Sequence, residues 1–443
     1  MRQPLHIGLS ISPTWLRGAS WRRTDSEAEQ MHTLSFVRRA AEMAEQAHLD
    51  FLFRADSLFL NPQALASSPG FSSTDPTVQL AALAAVTERI GLVTTASSTF
   101  YDPYLLARQL MSLHWMSEGR AGWNLVTSLD GAENFSQQSM PTAEARYDRA
   151  ESFLQLVRQL WETYPAEAVT VDRQAGRYAD PGLIRSMPEP LGEFDVAGPL
   201  TVPQHPAGSP PIFQAGASER GREFAAVHAD AVFASAPTLQ EAAGLRAELR
   251  ARAERAGRTP EAVRLLPGLV LVLAETAEQA QDIHEAGKEP ISDSARIARL
   301  SRVIGADLSD LELAQRIPES VLQKISQTPR SRTHQQLVLR LIRAEQPTLR
   351  ELLRSPVGSP SAHWQVVGTP AQAATEIGRW QDAGAIDGVV ALPSGSWRSV
   401  ELFCREVIPQ LVAEGRFRSD YTGTTLADHL GLHLPREPGA DRR

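Results

Sequence analysis

The run that decides the fold is Gly119-Arg120-Ala121-Gly122-Trp123-Asn124-Leu125-Val126-Thr127-Ser128, followed by a helix start at Glu144-Ala145-Arg146-Tyr147-Asp148-Arg149. It combines a short apolar strand, a polar loop that carries Asn, Thr and Ser, and an apolar-periodic helix that opens with Arg and Tyr. Side chains that can bind a phosphate directly after a strand are what a cofactor site at the mouth of an α/β barrel requires. The pattern therefore predicts a barrel strand with an anion site beside it.

A second segment has the same layout. It reads Pro211-Ile212-Phe213-Gln214-Ala215-Gly216-Ala217-Ser218-Glu219-Arg220-Gly221-Arg222. A strand, a turn of small residues and a helix N-terminus follow one another, and the free N–H groups of a helix N-terminus bind anions. This segment is a second candidate for holding a phosphate group.

Short apolar strands alternate with longer helical patterns along the whole chain, which favours a parallel sheet covered by helices. Eight strands are predicted, at Leu5–Ile11, Asp50–Phe53, Ile90–Thr94, Arg120–Val126, Pro211–Gln214, Ala231–Phe233, Leu265–Val272 and Ile386–Ala391. Eight strand–helix units make a closed (β/α)8 barrel, the TIM-barrel fold. The sequence therefore predicts one α/β barrel domain over residues 1–443.

Local signals place several helices and leave three longer segments between or after them. Asp75-Pro76 and Asp102-Pro103 each read as a helix cap followed by a first-turn proline. Helices are also predicted from Glu144 to Trp161 and from Ser399 to Val412. Insertions at about 164–209 and 290–363, after strands four and seven, are longer than ordinary connections and could be lids or packing and oligomer contacts. The tail 414–443 is expected to wrap over the domain or to fray.

Bulk composition excludes several classes of protein. The chain has 443 residues, of which 42% are hydrophobic and 22% charged, and its net charge is −8. It carries no block of Lys and Arg, which argues against binding to nucleic acid. The single cysteine, Cys404, is expected to be a small core residue. With no signal-peptide core and no apolar run long enough to span a bilayer, the sequence favours a cytoplasmic protein.

Several runs, in one order along the chain, resemble the bacterial luciferase-like flavin monooxygenases. The resemblance is strongest to the branch that contains the nitrilotriacetate, dibenzothiophene-sulfone and long-chain alkane monooxygenases. Besides the two segments quoted above, it is carried by Glu88–Ser97, Val367–Pro370, Gly415–Arg418 and Tyr421–Leu426. It covers nearly the whole chain.

The resemblance implies a set of flavin-binding residues. Asp56, after the second strand, matches a flavin-contacting aspartate of the family, and Thr95, Asn124 and Val126 match contacts after the third and fourth strands. The phosphate-binding set is matched by Arg146, Tyr147 and Ser218. Arg supplies a forked donor for phosphate oxygens, which agrees with that role. Each residue also has a plain structural interpretation: Asp56 could cap a loop, Thr95 could be an ordinary strand residue, Arg146 a surface charge and Ser218 only a helix cap.

What the resemblance implies about activity is two-component monooxygenation. Reduced FMN, supplied by a separate NAD(P)H:flavin reductase, reacts with O2 to give a C4a-(hydro)peroxyflavin that oxygenates a small organic substrate. The cofactor supplies the electron chemistry, while the protein positions it and excludes water. A homo-oligomer is also implied. Neither a zinc-type cluster of Cys and His nor a Gly-rich dinucleotide motif is present in the sequence.

Two departures from the family pattern concern histidines. Relatives carry a His four residues before the Tyr of the Arg-Tyr pair, where this chain has Ala143. They also carry a His shortly before an N-terminal Ala-Trp-Arg, whereas the run Leu16–Arg22 has none. Both positions would lie near the flavin, so the catalytic acid or base is left unassigned. Two other functions stay open, an F420-dependent hydride-transfer oxidoreductase on the same barrel and a non-catalytic flavin-binding protein. The Arg146, Tyr147 and Ser218 set and the Gly-Thr-Thr-Leu run favour the FMN branch over F420.

Overall fold

The computed structural model describes residues 3–70, 72–216, 218–288, 292–325, 332–355 and 362–432. Within them lie the strands β1 (His6–Ser10), β2 (Phe51–Arg54), β3 (Gly91–Ser97), β4 (Ala121–Val126), β5 (Val169–Asp172), β6 (Arg177–Ala179), β7 (Ile212–Ala215), β8 (Ala231–Ala234), β9 (Arg264–Leu273), β10 (Trp364–Gly368) and β11 (Gly388–Pro393).

Eight of these strands form a closed parallel barrel in the order β1-β2-β3-β4-β7-β8-β9-β11, with β11 returning to β1. Closure depends on β9, whose first residues pair with β8 and whose middle pairs with β11. The predicted (β/α)8 barrel is confirmed, and all eight predicted strands are present with ends that differ by at most three residues. A ninth parallel strand, β10, was not predicted; it pairs with the far half of β9 outside the ring.

The helices cover the barrel and fill its longer connections. They are α1 (Leu34–Gln46), α2 (Pro62–Leu65), α3 (Pro76–Ala84), α4 (Pro103–Met116), α5 (Ala143–Glu162), α6 (Glu219–His228), α7 (Leu239–Arg255), α8 (Ala277–Gly287), α9 (Asp293–Ile304), α10 (Glu319–Leu322), α11 (Arg332–Glu345), α12 (Leu349–Arg354), α13 (Pro370–Asp382), α14 (Trp397–Leu402), α15 (Ile408–Ala413) and α16 (Leu426–His429).

Local chemistry explains where several helices begin. The Asp75 carboxylate accepts a hydrogen bond from the Val78 N–H at 2.9 Å, and Asp102 accepts one from the Leu105 N–H at 2.9 Å. In both helices proline occupies the first turn, where its missing N–H costs nothing. The helix predicted from Ser399 to Val412 is interrupted by a π-helical turn at Phe403–Val407, which contains the buried Cys404.

The two predicted insertions differ in structure. Within 164–209 lies the antiparallel hairpin of β5 and β6. The described helices between 290 and 363 have an apolar core of their own, separate from the barrel cores and centred on residues such as Leu300, Ile304, Val338 and Leu349. This cluster therefore packs as a small helical unit.

The tail closes the N-terminal end of the barrel. Leu426 and Leu430 join the apolar side chains that fill the ring, among them Phe51, Val93 and Phe213. Gly122 leaves room for Leu426, since a Cβ there would lie 2.6 Å from its Cδ2 atom. The Tyr421 hydroxyl donates to the Leu49 carbonyl at 2.8 Å. The Tyr421–Leu426 run therefore serves stability, because it lies at the end of the barrel opposite to the catalytic face of this fold. Residues 433–443 of the predicted tail lie outside the described residues.

Replacing Leu426 tests the role of the tail in stabilising the barrel. Leu426→Ala is expected to lower the free energy of unfolding by about 2–5 kcal/mol, because it leaves a cavity in the barrel core. Urea unfolding followed by circular dichroism measures the change. Val227→Ala is the control, since Val227 is 48% exposed on α6. Equal stability of Leu426→Ala and wild type would contradict the packing described here.

Candidate functional site

The carboxyl ends of β2, β3 and β4 bring four of the predicted site residues to one rim of the barrel. Thr95 and Asn124 are register partners on β3 and β4, and the Asn124 amide donates to the Thr95 hydroxyl at 2.9 Å. Both side chains are buried, and within the described part of the chain the Asn124 Oδ1 atom accepts no hydrogen bond. A buried acceptor is normally satisfied, so this atom indicates a ligand donor at the rim.

Val126 ends β4 beside Ser97 of β3. Its carbonyl is already engaged, because it accepts from the Ser98 N–H at 3.0 Å and from the Ser98 hydroxyl at 3.3 Å. Val126 therefore offers its partly buried side chain to the rim rather than its backbone.

Asp56 lies just beyond β2 in a group of acidic and phenolic side chains. Burial raises the pKa of Asp56, the Ser57 backbone N–H lowers it, and the negative charge of Asp75 raises it further. Burial, followed by the charges of Asp75 and Asp56, raises the pKa of Tyr101 to about 12. Tyr101 therefore stays protonated at neutral pH and can donate a hydrogen bond.

The N-termini of α5 and α6 meet next to the end of β7. The Ser218 hydroxyl caps α6 by accepting the Gly221 N–H at 3.1 Å. A Cβ on Gly221 would lie 2.6 Å from the Tyr147 hydroxyl and 3.0 Å from the Ser218 hydroxyl, so both groups adjoin the first turn of α6. The Tyr147 hydroxyl also accepts a long bond of 3.4 Å from Gln214 on β7. Hydroxyls around a helix N-terminus make a site for an anion.

An ion-pair network fixes the two helices in this arrangement. Arg220 of α6 reaches Asp148 and Glu151 of α5 at 3.1 and 3.0 Å. These pairs raise the pKa of Arg220 above its usual range. These ion pairs do not involve the Tyr147 and Ser218 hydroxyls, which together with the first turn of α6 form the anion site, here termed the anchor.

Arg146 is oriented differently from Tyr147 and Ser218. Its Nη1 donates to the Pro141 carbonyl at 2.6 Å, which ties the guanidinium to the segment leading into α5. Its Nε is buried and, among the described residues, has no hydrogen-bond partner. Burial lowers the pKa of Arg146, with Tyr147 and Asp130 acting in the opposite sense. The Nε donor of Arg146 is therefore unused among the described residues.

Three residues at this rim were not singled out from the sequence: Gln214, Arg54 and His363. The His363 ring packs against Phe233 with centroids 5.3 Å apart, and its Nδ1 lies 3.5 Å from the Ser235 hydroxyl. A Cβ on Gly268 of β9 would lie 2.6 Å from that nitrogen. Burial, reinforced by the charge of Arg17, lowers the pKa of His363 to about 4. A neutral imidazole thus lies over β8 and β9, and no local sequence signal marks it.

Other site types find no support in the described residues. No group of three or more His, Cys, Asp or Glu side chains among them could hold a metal ion. Burial raises the pKa of the Cys404 thiol to about 12, so it is not a thiolate nucleophile. Across the same described residues, no helix is both long and apolar enough to cross a membrane.

Comparison with known proteins places this barrel in a family. Residues 17–386 match the model of the luciferase-like monooxygenases. The chain is 34% identical over 438 residues to N-acetyl-S-(2-succino)cysteine monooxygenase of Bacillus subtilis (strain 168), covering 98% of each chain. It is also 34% identical over 445 residues to nitrilotriacetate monooxygenase component A of Aminobacter aminovorans, covering 98% of this chain and 97% of that one.

A solved structure agrees with these relatives. Riboflavin lyase (RcaE), determined with modified FMN and its substrate riboflavin, superposes with a TM-score of 0.84 at 29% identity, covering 98% of this chain and 97% of that one. Fold, family model and full-length relatives thus converge. The chain is an enzyme that belongs to the luciferase-like monooxygenase family.

Proposed function

We propose that the protein is a two-component monooxygenase that binds reduced FMN at the carboxyl ends of its barrel strands and uses O2 to oxygenate a small organic substrate. The observation that carries the proposal is the meeting of Tyr147 and Ser218 at the first turn of α6, at the same rim as the Thr95–Asn124 pair. The helix N-terminus with its two hydroxyls suits a phosphate group, and the Thr95–Asn124 pair suits a polar edge of the flavin.

The chemistry of the donor set fits FMN. The Tyr147 and Ser218 hydroxyls would hold the phosphate together with N–H groups of α6, while Arg146, whose Nε donor is unused, would supply positive charge. The unsatisfied Asn124 Oδ1 would accept from the ribityl or ring edge, and Thr95, Asp56 and Val126 would line it. When bound, reduced FMN supplies the electrons that activate O2. The role of these residues is to bind and orient the cofactor and to exclude water from it.

The site suggests how protons are handled. Tyr101 remains a donor at neutral pH, and His363 remains a neutral acceptor at the opposite side of the rim. In this chain, which lacks the histidines expected at position 143 and near Trp21, Tyr101 and His363 are titratable groups at the rim. We infer that one of them takes over proton transfer to or from the substrate. A homo-oligomer and a separate NAD(P)H:flavin reductase complete the proposal.

The phosphate anchor can be tested by substitution. Arg146→Ala is expected to weaken binding of reduced FMN by about 1.5–3 kcal/mol, the range for a bond to a charged group. Ser218→Ala is expected to cost about 1 kcal/mol, because backbone donors remain. Anaerobic fluorescence titration measures both dissociation constants.

A matched control separates loss of the anchor from loss of a helix cap. Ser292 caps α9 by accepting the Ala295 N–H at 3.2 Å, as Ser218 caps α6. Ser292→Ala should leave FMN affinity unchanged. The anchor would be refuted by an Arg146→Ala, Ser218→Ala double variant that binds reduced FMN as tightly as wild type.

Electron supply gives a second prediction. The chain alone should not reduce FMN with NADH, because the sequence has no Gly-rich pyrophosphate motif after a strand and the proposed phosphate anchor is taken by FMN. Mixing pure protein, oxidised FMN and NADH without oxygen should leave the flavin absorbance unchanged. Adding a flavin reductase should bleach it. Bleaching at a catalytic rate without the reductase would contradict the two-component proposal.

A further inference from the structure

Two arginines in the barrel are equally buried but differ in their hydrogen bonds. Arg54 and Arg120 are each 3% exposed. Arg120 lies at the N-terminal end of the barrel, where its guanidinium donates five hydrogen bonds of 2.8–3.2 Å to Ser117, Thr87, Ile90 and Ala84. A guanidinium has five donors, so Arg120 is satisfied by the fold itself.

Arg54 ends β2 at the opposite rim. Its Nη1 donates to the Ser12 hydroxyl at 2.9 Å and, at 3.5 Å, to the Ala55 carbonyl. Its Nε is buried without a hydrogen-bond partner, and among the described residues no carboxylate lies within ion-pair distance of it. Asp56 acts on Arg54 only through its charge, over a longer distance. The edge formed by Nε and Nη2 therefore makes no hydrogen bond to the described chain.

A buried, unpaired charge is costly, and removing it from water is repaid only by a close counter-charge with good hydrogen bonds. The positive charge of Arg17 opposes the distant attraction of Asp56, so no close counter-charge in the described chain offsets the cost. In this fold, residues at the carboxyl ends of the strands serve the reaction, while those at the other end serve stability. The missing counter-charge of Arg54 is thus expected from a ligand.

Resting on the proposed function, we propose that Arg54 binds a carboxylate, or a similar oxyanion, of the organic substrate. The Nε–Nη2 edge of an arginine pairs with the two oxygens of a carboxylate in parallel hydrogen bonds. The FMN phosphate is not the expected partner, because β3 and β4 separate β2 from β7, where the anchor lies. Adjacent strands are about 4.8 Å apart, so the three spacings from β2 to β7 put the two positions about 14 Å from one another along the sheet. The substrate class is therefore an organic acid rather than a neutral hydrocarbon.

Binding of paired acid and ester probes tests the proposal. Succinate and (methylthio)succinate are titrated calorimetrically, each beside its dimethyl ester, into anaerobic protein with reduced FMN. Wild type should bind at least one acid about tenfold or more tightly than its ester, which matches a charge-assisted pair. Arg54→Met should abolish that preference and leave ester binding unchanged, and Arg54→Lys should restore part of it.

The other outcomes overturn the proposal. It fails if wild type shows no preference for either acid, or if Arg54→Met binds acid and ester as wild type does. It also fails if the variant loses affinity only for reduced FMN, because the anion would then belong to the flavin. Failure of wild type to bind reduced FMN, with the preference for the acid intact, would count against the proposed function alone.

Thermal unfolding without ligands shows whether Arg54 instead has a structural role. Arg54→Met should unfold at the same temperature as wild type or higher, because an uncompensated buried charge is removed. Arg120→Met, the matched control, should unfold several degrees lower, because it orphans buried carbonyl groups. A fall in Tm for Arg54→Met as large as that for Arg120→Met would assign Arg54 to the scaffold and overturn the proposal.

Discussion

Closure of the sheet by β9 is the constraint on which the rest of the structure depends. Its first residues pair with β8 and its middle with β11, so the parallel ring has no free edge. Because every strand runs the same way, their carboxyl ends meet at one rim. Residues far apart in the chain, such as Arg54, Asn124 and Ser218, come to that rim for this reason alone.

Arg120 and Arg54, buried at opposite ends of the barrel, differ in how well their donors are satisfied. At the N-terminal end Arg120 has all its donors paired, and the Tyr421 hydroxyl donates to the Leu49 carbonyl. At the other end the Asn124 Oδ1 and the Nε atoms of Arg54 and Arg146 are buried without partners in the described chain. Buried polar groups are rarely left unpaired, so these three atoms, which lie where a flavin and its substrate are proposed to bind, are candidate ligand contacts.

Much of the fold was predictable because its signals are local. Apolar runs gave the eight strands, and Asp75 and Asp102 marked helix starts through bonds to residues only three positions away. β10 was missed because a short strand outside the ring is specified by its pairing with β9, which lies about ninety residues earlier. The interruption of the Ser399–Val412 helix by a π-helical turn was also not visible in its apolar pattern.

The candidate site was predictable only in part, for a similar reason. Tyr147 and Ser218 were named from the family resemblance, at two predicted helix starts, and the structure brings them together at Gly221. The sequence around Arg54 and His363 gives no local signal, because their importance depends on tertiary structure. The His363 ring packs against Phe233, and the Arg54 Nε is buried without a partner in the described chain. The roles of Asp56, Thr95, Asn124, Val126, Arg146, Tyr147 and Ser218 toward FMN stay predictions.

A crystal structure of the protein with FMN would show whether the flavin binds at the carboxyl rim of the barrel. We expect the phosphate to lie within hydrogen-bonding distance of the Ser218 and Tyr147 hydroxyls, and the flavin ring to lie at the rim beside Thr95 and Asn124. Flavin bound elsewhere, or a phosphate held by residues outside the N-termini of α5 and α6, would contradict this expectation.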